Sequence, residues 1–190
     1  VWAVDISILD KTSIRIHSKH ANFVVDPTEK GSKVSCDAII LLNNLTNDLS
    51  RVVDYRIVIN GPGEYEVSGV KVLGFKGDRG FVYGLSVDGF SVILGRSSDI
   101  LKISAIGGSA SGRKEEINSE CQIAILNADE EVNSSVVTKL EPKTVVLYGD
   151  NKESAAKILG KENIPPIKKF TVVKDKLPEE MEVVLLASSI

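Results

Sequence analysis

The 190-residue sequence predicts an α/β fold, and two observations carry that prediction. The first half is a succession of short runs with strand character, either alternating or continuously aliphatic, punctuated by Gly, Pro and Asp-Gly turns. The second half alternates β-rich aliphatic runs with helical segments, a spacing that implies parallel strands joined by helical crossovers. The length suits one domain, residues 1–190, with a single large core.

Taken in order, "VDISILD" sets Val4, Ile6 and Ile8 on one face and Asp5 and Ser7 on the other, the period-2 signature of a half-buried strand. "SIRIHSKHANFVVDP" predicts a hairpin, with Ile14 and Ile16 leading in, Phe23 to Val25 leading out, "HSKHAN" as the turn and Pro27 as the stop. "DAIILL" and "YRIVIN" are apolar runs of buried-strand length, the second closed by "GPG". "YEVSGVKVLGF", "RGFVYGLSVDG" and "FSVILGR" predict three further strands, and the Asp-Gly of "VDGF" favours a tight type I′ turn. "CQIAIL", "KTVVLYG" and "EVVLLAS" are the strands of the second half. Between the first two, "NADEEVNSSVVTKLEP" predicts a helix opened by its acidic residues and ended before Pro142. In "DNKESAAKILGKENIPP", Asp150 or Asn151 caps a helix whose apolar stripe is Ala155, Ile158 and Leu159, with Gly160 as the stop. "GGSASGRKEEINSE", residues 107–120, is small and polar and predicts a surface loop.

A hydrophobic content of 43% with 26% charged residues is ordinary for a globular protein. The net charge of −3 argues against a nucleic-acid-binding face, and "KGDR" and "IKKF" read as solvated turns. No apolar run approaches the ~20 residues of a transmembrane helix, and "VWAVDISILD" has no signal-peptide pattern, so a cytoplasmic protein is expected. Cys36 and Cys121 lack C-x-x-C spacing and read as free thiols of a reducing compartment. Each opens an aliphatic strand, which would place both at one end of a sheet, opposite the strand tips.

The usual catalytic signatures are missing. There is no P-loop, and "GGSASG" neither matches G-x-S-x-G nor has a downstream histidine to act as base. The two histidines, His17 and His20, fall in the first hairpin turn, with Asp26 the nearest further donor, too few for a catalytic zinc site. Glu64 and Glu66 in "GEYE" share one strand face roughly 6.5–7 Å apart and read as solvent-facing. The remaining candidate is a tip: "DAIILL" ends in Asn43, Asn44, Thr46, Asn47 and Asp48, and α/β proteins place their chemistry at such strand ends.

The succession from "SIRIHSKHANFVVDP" to "LPEEMEVVLL" resembles the metallo-β-lactamase superfamily, in particular its compact zinc-dependent hydrolase-like members. The resemblance rests on Asp26-Pro27 closing the hairpin, the aliphatic strand before a polar loop, "GPGEYEVSGVKVLGF", the hairpin "VDGFSVILG" and the late strand "EPKTVVLYGD". It implies an αβ/βα four-layer sandwich, two mixed sheets flanked by helices. It also implies that the family's metal ligands are gone. Asn43 and Leu45 fall at the first two loop histidines, Asn47 at the aspartate and Asp48 at the third histidine. "KGDRG", with Asp78, offers no histidine, Arg96 replaces the metal-bridging aspartate, and Gly149 or Asp150 stands at the final histidine. On this resemblance the cleft is vacated and holds no catalytic, cofactor-binding or metal-binding residue, and Arg96 is expected to neutralise Asp48. Three functions stay open: a non-catalytic binding or structural module acting on a protein partner or a second copy; an enzyme with metal-independent chemistry or a hard-cation site of Asp48, Asp78 and Asp150; or a sensor holding a small anion near Arg96.

Overall fold

The computed structural model describes residues 2–44, 47–103 and 121–188. The chain opens with β1 (Ala3–Asp10), β2 (Ser13–His17) and β3 (Asn22–Val25), then β4 (Val34–Ser35), β5 (Ala38–Ile40), β6 (Val52–Val53) and β7 (Ile57–Ile59). A meander follows, β8 (Gly63–Val67), β9 (Val70–Lys76), β10 (Phe81–Val87) and β11 (Phe90–Gly95), running into α1 (Ser97–Lys102). β12 (Ile123–Asn127), α2 (Ser135–Leu140), β13 (Thr144–Tyr148), α3 (Lys152–Ile158), β14 (Lys169–Val173) and β15 (Glu182–Leu185) complete the described elements.

These strands form two mixed sheets. One has the order β14-β1-β2-β3-β5-β7, antiparallel as far as β3 and parallel beyond it. The other runs β15-β13-β12-β11-β10-β9-β8, parallel from β15 to β11 and antiparallel from β11 to β8. Strand alternation decides how they stack. Val4, Ile6, Ile14, Ile16, Phe23 and Ile40 of the first sheet meet Tyr83, Leu85, Val92, Leu94, Ile123 and Ile125 of the second in one buried core. The intervening residues of the second sheet, among them Ala124, Leu126, Val145 and Leu147, face outward and are covered by Ile100 of α1, Val136 and Leu140 of α2, and Ala155 and Ala156 of α3.

The outer face of the six-stranded sheet is finished differently. Val24, Ile39 and Leu41 pack there with Cys36 and Val52, which belong to the segment carrying the two-stranded β4–β6 ribbon. The expected helix layer is therefore present on one side, and among the described residues no helix covers the other. The expected loop at 107–120 lies outside the described residues.

Several local expectations are corrected. "YEVSGVKVLGF" is a hairpin rather than one strand, because Ser68 and Gly69 both take positive φ (50° and 84°) and turn β8 back into β9. The predicted type I′ turn at Asp88-Gly89 is formed, with φ of 46° and 82°. "IKKF" is not a turn: Lys169 and Phe170 belong to β14, which pairs with β1 at the sheet edge. "YRIVIN" forms an edge strand, so Ile57 stays exposed. The acidic residues 129–131 precede α2 instead of opening it; the helix starts at Ser135, whose amide N–H donates to Asn133 Oδ1 (2.9 Å). In α3 the buried face is Ala155 and Ala156, and Ile158 points outward. The two thiols precede strands of different sheets and lie in different apolar clusters. Burial pushes Cys36 up to about 11 and Cys121 to about 12, which keeps both protonated and unreactive.

Candidate functional site

The parallel strands of both sheets point their C-terminal ends at one edge of the sandwich, so the residues that follow β3, β5, β11, β12 and β13 converge there. A strand end exposes unpaired backbone groups that polar side chains must satisfy. Asp26, after β3, does this for β5: its Oδ1 accepts the Leu42 N–H at 2.9 Å. It holds a left-handed φ of 45° in doing so. Tyr83, wholly buried in β10, stitches the sheets together. Its hydroxyl donates to Leu41 O (2.7 Å) and accepts the Gly61 N–H (3.0 Å). Phe81 N–H donates to Leu42 O at 2.8 Å, closing the same seam.

Behind this seam lies a polar cluster built from four strand ends. Asp26 sits within electrostatic reach of Arg96 and Asp129, and Tyr148 within reach of Asp26, Arg96 and Asp129. Burial pushes the Asp26 carboxyl up to about 6; the Leu42 amide and then Arg96 pull it back, and Asp129 adds to the rise. Burial likewise drives the Tyr148 phenol far up, so it is a neutral hydroxyl at every working pH. Among the described residues, Tyr148 OH, Asn127 Nδ2 and Asp129 Oδ1 are buried polar atoms of the cluster with no geometrically complete hydrogen bond. The Asn127 side chain lies beside the Tyr148 hydroxyl, and its Oδ1 accepts the Asp129 N–H at 3.0 Å. Arg96, half-buried at the end of β11, accepts the Ile100 N–H on its carbonyl (3.0 Å), and its side chain makes no hydrogen bond or ion pair among the described residues.

The residues singled out by the sequence divide around this cluster. Asn47 Nδ2 donates to Asn43 O (3.0 Å), which folds the tip of β5 on itself. Asp48 is turned to solvent. Its Oδ1 accepts the Ser50 N–H at 2.8 Å, and Ser50, through side chain and backbone, then Arg51, hold its carboxyl low. The expected Arg96–Asp48 neutralisation is thereby corrected: the carboxylate that feels Arg96 is Asp26. Leu45 lies outside the described residues. Asp78 is exposed in the β9–β10 turn, and that turn is pinned by Asp99, whose Oδ1 accepts the N–H groups of Arg79 (2.8 Å) and Gly80 (3.0 Å). Gly149 has φ of 106°, and a Cβ there would come within 2.7 Å of Asp129 Oδ1, so only glycine lets β13 pass so close. Asp150 is exposed, 3.8 Å from Lys11 Nζ.

Lys11, at the β1–β2 turn, had not been singled out. It lines two neighbouring grooves, one of about 460 Å³ with Thr28, Asn47 and Asp48, the other of about 190 Å³ with Gly149, Asp150 and Lys152. Asn127, Asp129 and Tyr148 were missed as well. The signal that marked "DAIILLNN", an aliphatic strand ending in polar residues, is equally present in "IAILNAD" and "VVLYGD".

A zinc centre wants three or four His, Cys or carboxylate ligands, and among the described residues no group of three or more His, Cys, Asp or Glu is placed to hold an ion. A guanidinium stands among the strand ends instead, with its own fixed positive charge. The two histidines are at the other end of the sandwich. His20 Nδ1 lies 2.7 Å from Asp88 Oδ1, ahead of β11, whereas Arg96 follows β11, a separation of about 20 Å at ~3.3 Å per residue. His17 Nδ1 contacts Asn22 Oδ1 in the same turn.

Two stacked mixed sheets whose parallel strands end at one polar edge define a class of α/β sandwich, and several solved structures share it. Specifically, this chain has the metallo-β-lactamase fold. A protein from Thermotoga maritima, assigned as a zinc-dependent hydrolase of the metallo-β-lactamase superfamily, superposes with a TM-score of 0.71 at 16% identity, over 96% of this chain and 98% of that one. A protein from Parabacteroides distasonis assigned as a metal-dependent hydrolase gives 0.56 at 15% identity, over 97% and 94%. Igni18, a metallohydrolase from Ignicoccus hospitalis, gives 0.54 at 11% identity, over 90% and 99%. No family model and no curated protein matches the sequence.

Proposed function

We propose that this is a metallo-β-lactamase-fold protein without a functional metal centre, serving as a non-catalytic binding or structural module. The observation that carries the reading is Arg96: a guanidinium at the end of β11, within electrostatic reach of Asp26 and Tyr148, brings a fixed positive charge that disfavours a divalent ion at the same strand ends. The placement of Asn43, Asn47 and Gly149 at this edge supports it, since amides are poor zinc ligands and glycine offers none. A hard-cation site of Asp48, Asp78 and Asp150 has less support, because Asp48 is engaged with Ser50 and Asp150 lies beside Lys11. The partner is proposed to be another protein or a second copy, with no nucleic acid and no membrane involved, in keeping with the net charge of −3. Among the described residues no helix is long and apolar enough to cross a membrane, and a cytoplasmic location is proposed with the free thiols in mind.

Elemental analysis of the purified protein tests the reading. Less than about a tenth of an equivalent of Zn, Fe or Mn is expected, against the one or two of a loaded site. Stoichiometric metal that survives desalting, with hydrolytic activity lost on chelation, overturns it.

A further inference from the structure

We propose that a groove on the outer face of the six-stranded sheet binds a small organic phosphate monoester, its phosphoryl group held by Arg15 and its apolar body by Leu9 and Val34. No helix covers this face among the described residues, and a groove of about 340 Å³ opens there. Its walls are the end of β1, Arg15 of β2, the turn 27–34 and the start of β6. Strand alternation places the arginine: Ile14 and Ile16 enter the core, so Arg15, opposite Val24 in the β2–β3 pair, is left on the outer face. The side chain is half-buried, its Nε is buried without a hydrogen-bond partner, and among the described residues no carboxylate forms an ion pair with it. A buried cationic donor left unpaired is costly, which makes it the natural seat for an anion.

Four cationic side chains line the groove, Arg15 within it and Lys30, Lys33 and Arg51 at its exposed rim, against one carboxylate, Asp10. Four against one leaves an excess of three positive charges, on a chain whose net charge is −3. Both Asp10 oxygens are engaged by the wall itself: Oδ1 accepts the Lys11 N–H (2.6 Å) and Oδ2 the Thr28 hydroxyl (2.7 Å). Arg51 is braced against the turn, its Nε–H donating to the Glu29 carbonyl (3.1 Å). A monocarboxylate would offset one of the excess charges, whereas a phosphate monoester carries about −1.5 to −2 at neutral pH and three acceptor oxygens. That group also matches the guanidinium fork of Arg15. Leu9 and Val34, half-buried and packed against the Val24–Val52 cluster, add apolar surface that a bare phosphate ion would leave wet. The volume lies near the lower end of the ~300–1,000 Å³ of small-molecule sites, enough for a phosphoryl group and one ring. None of these residues belongs to the Asp26–Tyr148 cluster, so the inference stands apart from the metal content of the strand ends.

Titration calorimetry and thermal shift on the purified full chain decide the matter, with phenyl phosphate as the probe and inorganic phosphate, benzoate and phenol as controls. Phenyl phosphate is expected to bind saturably, to raise Tm by mass action and to bind more tightly than any control. Arg15→Gln is expected to weaken it at least about tenfold, and Lys33→Gln, at the exposed rim, about two- to fivefold. Arg79→Gln removes the same charge in the β9–β10 turn, outside the groove, and is expected to leave the affinity unchanged. Ligand-free melting is checked for each variant, and Lys33→Gln carries the test if Arg15→Gln does not fold. Absence of saturable phenyl phosphate binding overturns the inference. Inorganic phosphate binding equally well overturns it too, since the apolar wall then plays no part. So does an affinity that falls as much in Arg79→Gln as in the groove variants, which marks diffuse charge rather than a site.

Discussion

Replacing Asp26 by asparagine isolates the electrostatic strain of the cleft in one measurement. The Asp26 carboxyl is buried, and its pKa is raised from the ordinary 3.8 to about 6, chiefly because burial disfavours its charged form. Between those two values the unfolded chain has lost this proton and the native chain has kept it. Stability contributed through Asp26 is therefore greatest at and below about pH 4 and falls as pH rises through 6. A displacement of this size corresponds to about 3 kcal/mol of native-state destabilisation at neutral pH. Asparagine keeps an Oδ1 to accept the Leu42 N–H and carries no charge. At pH 4 the variant is expected to match the parent to within about 1 kcal/mol; at pH 7.5 it is expected to be more stable by about 2–3 kcal/mol. Urea denaturation at pH 4, 5, 6 and 7.5 reads this, followed by far-ultraviolet circular dichroism because the one tryptophan, Trp2, is half-exposed and reports little of the core. Using the difference between variant and parent cancels other titrations, among them Asp5 and Asp10, whose hydrogen bonds to Thr171 and Thr28 hold them low and act in the opposite sense. A stability difference that is the same at all four pH values refutes the argument, as does a variant that is less stable at pH 7.5.

Three further outcomes follow from the seam and the turns. Tyr83→Phe removes the hydroxyl that joins Leu41 O to the Gly61 N–H, leaving both buried and unpaired; a loss of about 2 kcal/mol and a Tm drop of ~4–8 °C is expected by calorimetry. Gly74→Ala drives a methyl into the Gly61 carbonyl and the Tyr83 ring, whereas Gly69→Ala meets only the strain of a positive φ, so the first is expected to cost at least about 2 kcal/mol more in urea midpoint analysis. Asp88→Ala deletes the acceptor of the Lys19 N–H (2.9 Å) and the neighbour of His20 Nδ1, with an expected loss of about 1–3 kcal/mol and faster hydrogen exchange at Lys19.

The strands themselves were legible because their causes are local. Val4, Ile6 and Ile8 alternate, and Asp88-Gly89 can form the tight turn that the hairpin needs. Pairing across the molecule was not legible in this way. Lys169–Val173 reads as polar until β1 is set beside it, and "YRIVIN" reads as buried until it is seen to lie at an edge. The helix α1 went unseen for a related reason: six residues leave too short a window for a 3.6-residue period. The candidate site was half legible. Resemblance singled out the tip of β5, Arg96 and the end of β13, but it set Arg96 against Asp48, since both fall at positions of the family's metal site. The actual neighbours, Asp26, Asp129 and Tyr148, come from three other strands and meet only when both sheets have stacked.

The division of each sheet into an antiparallel and a parallel half also orders events in time. The β8–β11 meander joins sequence neighbours through short turns, so it closes small loops and forms early. Asp26 and Tyr148, more than a hundred positions apart, meet only after the parallel strands have assembled from distant segments. The cleft is thus expected to form after the folding transition state. A molecule that occupies it is expected to leave the folding rate unchanged and to slow unfolding by the full factor of its binding, so its presence is recorded in the lifetime of the native state.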